Sequence, residues 1–177
     1  MKILIASDIH GSYYWAKKLI DIYEQNDFNK ILILGDILYH GPRNDLPKDY
    51  NPKKVITLLN NLSSEIIAVR GNCDAEVDQM VLNFEILNES AKLYIDNHLF
   101  ILAHGHHPYP TLTNNDILLT GHTHIPLYEK LNNNVHHFNP GSVSLAKGGF
   151  NNSYMIYENN QFKVVDFDQN IILTKTL

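Results

Sequence analysis

The chain has 177 residues, 44% of them hydrophobic, with fourteen basic side chains against nineteen acidic ones and a net charge of −5. One domain spanning 1–177 is expected, since that length can bury a real core. No apolar run approaches membrane-spanning length, and the acidic balance argues against a sequence-independent nucleic-acid surface, which needs a basic face.

The strand-like pattern opens at residue 2, so no secretion signal is read and a cytoplasmic location is expected. The single cysteine, Cys73, excludes an internal disulfide and fits a reducing compartment. Apolar β-forming runs over 2–6, 31–34 and 66–69 predict three strands, with helices over 13–25 and 53–62 between them. Trp15, Leu19, Ile22 and Tyr23 recur at helical spacing, Ser12 is placed to cap the first helix, and Pro52 precedes the second. Short, continuously apolar runs suit parallel strands buried on both faces. The stretch 36–51 is the longest irregular connection, and such loops in compact domains are often functional. Later the chain changes character. Asp96-Asn97 predicts a hairpin turn between strands over 91–95 and 99–103, 117–119 is another strand, and 154–176 reads as antiparallel β. A mixed two-sheet α/β sandwich with helices outside is expected.

Five short motifs lie at the ends of apolar runs: Asp8-Ile9-His10, Gly35-Asp36, Gly71-Asn72-Cys73-Asp74, His104-Gly105-His106 and Gly121-His122-Thr123-His124. On strands of one sandwich they would meet at carboxyl-terminal loops, where α/β folds place their sites. Asp8 and His10 stand two residues apart, as do His122 and His124, which in extended chain turns both side chains to one side. Asp36, with two carboxylate oxygens, is the candidate to bridge two cations, and Asn72 adds an amide oxygen.

Taken singly, Asp-x-His is better explained as a solvated loop, and Gly-Asp or Gly-Asn as a turn. Chance does not account for all five, with six of the ten histidines inside 8–10, 104–107 and 121–124. Carboxylate, amide and imidazole suit borderline to hard divalent metals, and the expected chemistry is hydrolysis. Two divalent ions against only Asp8 and Asp36 leave a cationic pocket fit for a small anionic substrate. Arg43, one of two arginines, follows Asp36 in the long loop and suits paired hydrogen bonds to phosphate. Local pairing with Asp45 or Asp49 is the equal alternative.

These motifs, in this order, resemble the calcineurin-like metallophosphoesterases, whose pattern runs Asp-x-His, Gly-Asp, Gly-Asn-His, His and Gly-His-x-His. Longer stretches resemble the small bacterial YfcE-type phosphodiesterases: 7–12, 35–44, 69–74, 76–80, Asn139-Pro140-Gly141-Ser142 and Lys147-Gly148-Gly149. The resemblance spans nearly the whole chain. It implies a four-layer αββα sandwich and metal-dependent hydrolysis of small phosphodiesters. It further implies one metal held by Asp8, His10, Asp36 and His124, and a second held by Asp36, Asn72, His104 and His122. Asp36 and a water or hydroxide would lie between them. Manganese is the expected ion, and zinc, iron or nickel would also suit such ligands.

Position 73 departs from the broad family. Cys73 stands where a histidine usually stabilises the transition state and protonates the leaving group, so Cys73 is placed with Arg43 at the substrate. His106, His10 or water are alternatives for the acid. The fold also resembles the small metallophosphoesterase-like subunit of the eukaryotic retromer coat, which makes a scaffold acting through protein contacts the alternative function. A metal-storage module built on 104–107 is a third reading, but it gives no reason for Asp36 or Asn72. All seven ligand positions carry competent residue types, which favours the enzyme. A small phosphodiester is the expected partner, and homo-oligomer formation is left open.

Overall fold

The computed structural model describes residues 1–177. In chain order its elements are β1 (Lys2–Ala6), α1 (Tyr13–Gln25), β2 (Lys30–Ile33), α2 (Pro52–Asn60), β3 (Ile66–Ala68) and α3 (Glu76–Gln79). Then come β4 (Ser90–Ile95), β5 (His98–Ala103), β6 (Ile117–Leu119), β7 (Pro126–Lys130), β8 (His136–Pro140), β9 (Ser153–Glu158), β10 (Gln161–Asp166) and β11 (Ile171–Thr176). They build one sheet in the order β11-β10-β9-β1-β2-β3 and a second in the order β4-β5-β6-β8-β7. Strands β1, β2 and β3 are parallel, as are β5, β6 and β8, and the remaining pairings are antiparallel.

The continuous apolar runs are explained by burial on both faces. Leu4, Ala6, Ile31 and Ile33 pack beneath the helices with Leu19, Val55 and Leu59. Their neighbours Ile3, Ile5, Leu32 and Leu34 face Phe100, Leu102, Ile117 and Phe138 of the second sheet. Each such side chain favours folding by roughly 1.5–3 kcal/mol, so both packings hold β1 and β2 in place.

Helix α1 begins where expected, with the Ser12 hydroxyl accepting from the Trp15 N–H at 3.5 Å. Helix α2 stops at Asn60 instead of reaching 62, and a 3-10 turn, Ser63–Glu65, follows. The Asn60 amide reaches sideways instead, donating to the Val81 carbonyl and accepting from the Asn83 N–H, both at 2.8 Å. The two outer layers of the sandwich are unequal. Helices cover the first sheet, whereas the outer patch of Ile101, Leu118 and Val135 on the second is covered by Leu112 and Leu131 from irregular segments. Pro108 and Pro110 deny the 108–116 stretch a regular helix.

This topology brings all five motifs to one rim. Asp8 follows β1, Asp36 follows β2, 71–74 follow β3, His104 follows β5 and 121–124 follow β6. Backbone pairing continues past the strand ends, from Asp8 N–H to Gly35 O at 3.1 Å, His10 N–H to Asp36 O at 2.9 Å and Gly121 N–H to His104 O at 3.0 Å.

Candidate metal centre

Donor atoms from the five loops converge. Asp8 Oδ1 lies 3.6 Å from His10 Nε2 and 3.3 Å from His124 Nε2, and those two nitrogens are 3.3 Å apart. Asp36 Oδ2 is 3.6 Å from His10 Nε2 and 3.5 Å from His104 Nε2, so one carboxylate reaches both histidine sets. His104 Nε2 is 3.2 Å from Asn72 Oδ1. Donors around one ion at metal–ligand lengths near 2.1 Å stand roughly 3–3.5 Å apart, and these spacings fit. The sharpest sign is Asp8 Oδ1, a fully buried carboxylate oxygen with no hydrogen-bond partner. Such an oxygen is costly unless a cation or donor meets it. His122 stands beside this group, its ring 5.1 Å from that of His104, and its N–H donates to Asp8 Oδ2 at 3.0 Å.

The extended geometry expected of Asp8-x-His10 and His122-x-His124 is not what brings each pair together. Asp8, His10, Asp36, His122 and His124 all have left-handed backbone, with φ of 58°, 49°, 57°, 68° and 61°. Each costs on the order of 1–3 kcal/mol and persists only when its surroundings enforce it. The chain coils tightly through each motif, so alternate residues reach the centre from a turn and not from a strand. The Ser142 and Ser144 hydroxyls enforce this at Asp8 by donating to its carbonyl at 2.9 and 3.2 Å. The Asn139 amide does the same at 121–123, donating to Gly121 O at 2.7 Å and to Thr123 Oγ1 at 3.1 Å. Buried Asp74 ties two loops together, accepting from the N–H groups of Asp36 and Gly71 at 2.8 Å and of Ile37 at 2.9 Å. None of these supports had a role assigned from sequence; the Asn139 to Ser142 and Gly71 to Asp74 strings were the only signals.

The imidazoles are aimed by their second nitrogens. Nδ1–H of His10 donates to Tyr39 O at 2.8 Å, that of His104 to Leu34 O at 2.6 Å, and that of His124 to Leu145 O at 2.6 Å. Each bond fixes the tautomer that points the Nε2 lone pair inward. Burial opposes charge on Asp8, but the adjacent imidazoles of His10, His124 and His104 outweigh it and hold the carboxyl well below the usual range. Asp36 is held down against its burial by His104. In return, and against their own burial, Asp8 raises His10, and Asp36 with Asp8 lifts His104 to about 9. Burial pushes Asp74 up despite its three backbone donors.

A cleft of about 470 Å³ opens over Asp36, Asn72, His122 and His124, and Cys73, Arg43 and Lys147 also line it. Burial, then the Asp36 carboxylate, pushes the Cys73 thiol up to about 12, so it is neutral at pH 7. Arg43 is unpaired with Asp45 or Asp49, whereas the other arginine, Arg70, sits 3.7 Å from both Glu76 and Glu89. His106 is not brought to the cleft. Its ring packs 5.3 Å from that of His104 and 4.1 Å from that of His107.

Residues 1–161 match the model of the calcineurin-like phosphoesterase superfamily domain. The chain is 44% identical over 177 residues to the phosphodiesterase YfcE of Escherichia coli strain K12, covering 97% of this chain and 96% of that protein. A solved structure of the E. coli phosphoesterase matches with a TM-score of 0.96 at 44% identity over 99% of each chain. Wild-type Vps29 of Entamoeba histolytica, solved in complex with zinc, is similar in fold, with a TM-score of 0.64 and 22% identity over 99% of this chain and 97% of that one.

Proposed function

The chain belongs to the calcineurin-like phosphoesterase superfamily, and we propose that it is a metal-dependent phosphodiesterase acting on small phosphodiesters. Asp8, His10, Asp36 and His124 hold one divalent ion, and Asp36, Asn72, His104 and His122 hold the other, with manganese the best-suited metal for this thiolate-free donor set. Bound there, two such ions would supply Lewis acidity and activate water for attack at phosphorus. The chain's own work is positional. Asp36 places both halves of the centre relative to each other, the carbonyls of Tyr39, Leu34 and Leu145 aim three imidazoles, and Arg43 meets phosphoryl oxygens from the cleft wall. Cys73 contributes no cationic acid, which suits diesters whose leaving group departs without protonation.

The observation that carries the reading is the orphaned oxygen of Asp8 facing two Nε2 nitrogens within 3.6 Å. A purely structural role gives no reason to bury it there. Purified protein loaded with manganese should turn over an artificial phosphodiester and lose that activity on chelation, and metal analysis should find about two ions per chain. Asp36→Asn, which removes the shared charge, should abolish turnover while leaving the fold largely intact. Full activity in thoroughly chelated protein would overturn the proposal. Two bound ions with no turnover of any diester would favour the scaffold alternative.

A further inference from the structure

The two loops that aim metal-facing histidines from outside each carry an unpartnered cation into the same cleft. Tyr39 O fixes His10, and four residues later the same loop presents Arg43, its turn closed by Asn44 Nδ2 donating to His40 O at 2.8 Å. Leu145 O fixes His124, and two residues later comes Lys147, whose N–H donates to His124 O at 3.1 Å. Arg43 and Lys147 are both exposed, and neither side chain has an acidic or hydrogen-bonding partner. Asp36, already committed to the histidines, is the only carboxylate lining the cleft, and Pro42 and the neutral Cys73 are its only apolar side chains. The residues lining it include no Phe, Tyr, Trp or aliphatic side chain to seat a nucleobase or an alkyl chain. What they offer is exposed positive charge from two separate loops that line one cleft.

The geometry points to a second anion subsite: Arg43 and Lys147 take an additional phosphate or carboxylate on the arm of the diester that is not cleaved. The inference rests on the phosphodiesterase reading and narrows its substrates to small polar diesters carrying at least two negative charges. A diester bears one charge at its phosphorus, which the metal centre meets. Arg43 can share in meeting that charge, but Lys147, tied to the centre through its loop, has no role toward a singly charged diester and matches a second anion. Lys147 is the more specific of the pair, because Arg43 can also reach the phosphoryl oxygens.

The test compares two 4-nitrophenyl phosphodiesters that share a leaving group and differ in the other arm, ethyl or 2-sulfoethyl. The manganese-loaded enzyme should prefer the sulfonated diester about tenfold in kcat/KM, the scale of one charge-assisted hydrogen bond, with the gain in KM. The preference should shrink at high ionic strength. Lys147→Gln should bring the ratio close to one, and Lys147→Arg should restore most of it. Calorimetry with ethylphosphonate and 2-sulfoethylphosphonate should give the same ranking in Kd, independently of turnover. Equal kcat/KM values, or a preference that survives Lys147→Gln, would overturn the subsite while leaving the phosphodiesterase reading intact. Absence of turnover on both diesters would overturn that reading and the subsite with it.

Discussion

Gly71→Ala tests how tightly the Asp36 loop is wedged against the loop after β3. A Cβ at position 71 would stand 2.9 Å from Asp36 Cγ and closer still to Asp36 Oδ1 and N, against the 3.4 Å at which ordinary contact begins. The N–H groups of Gly71 and Asp36 both bond to Asp74, so the clash falls on backbone as well as side chain, and relief must part the two loops and shift the Asp36 carboxylate. Relief requires it to swing on the order of 1 Å, a misplacement that can cost about 100-fold in rate at a reacting centre. Overpacking of this kind also costs roughly 1–3 kcal/mol. At about 2–4 °C per kcal/mol for a chain of this size, the expected fall in Tm is about 2–12 °C. Three measurements on one preparation settle the matter: Tm, bound metal per chain and kcat on an activated diester. The expected result is a folded protein with reduced metal content and kcat lowered about 100-fold. Wild-type kcat and full metal occupancy alongside a lowered Tm would refute the reasoning, since the clash would then have been absorbed away from Asp36.

Other expectations follow from the same geometry. Cys73→His should gain activity toward monoesters and poor leaving groups relative to activated diesters. An identical dependence on leaving-group pKa in both proteins would remove position 73 from the acid step. Arg43→Ala should raise KM for a diester several-fold, the scale of a lost charged hydrogen bond, and unchanged kcat and KM would show that the arginine is idle. For chelated protein the pH dependence of Tm has a definite sign. His104, raised from 6.5 to about 9 against its burial by Asp36, contributes stability that is full below pH 6.5 and lost as pH rises through about 9. Asp8 and Asp36, held below their ordinary 3.8, contribute stability present above that value and lost as pH falls through their lowered pKa. Tm of the chelated protein should therefore peak between about pH 4 and 6.5, and manganese should raise Tm more at pH 8 than at pH 6 because protons compete for its ligands. A flat Tm from pH 6 to pH 10 in chelated protein would contradict this account.

Much of the architecture is legible in the chain because β1, β2 and β3 are buried on both faces and so carry uninterrupted apolar runs. The ends of α1 and the Asp96-Asn97 hairpin follow from local chemistry, a capping hydroxyl and two residues with positive φ. The site motifs are legible because chemistry restricts them to Asp, Asn and His. Their backbone is not, since nothing in Asp8-Ile9-His10 distinguishes an extended strand end from two left-handed turns. That distinction is imposed from 134 residues away by Ser142. Helix α2 ends at Asn60, two residues short of the expected 62, where the Asn60 amide bonds the backbone at 81 and 83. His106 shares its string with His104, but Gly105, at φ 100°, turns the chain between them. Whether Arg43 pairs with Asp45 or stands free depends on loop conformation, which composition does not encode.

The donors run from residue 8 to residue 124, and His10 and His124, which face each other across the centre, are 114 positions apart. No contiguous fragment shorter than this stretch owns a complete set, and the supports at 139–144 lie beyond it. During synthesis the strands β1 to β3 and both long helices emerge well before Gly121 to His124. On the proposed ligand set, a divalent ion would meet its full shell only after the two sheets have closed on each other. Such a centre would be a clasp set last and not a nucleus formed first, and its occupancy would report on completed folding. A truncated, nicked or misregistered chain would betray itself by what it fails to bind, even where its helices and strands are intact.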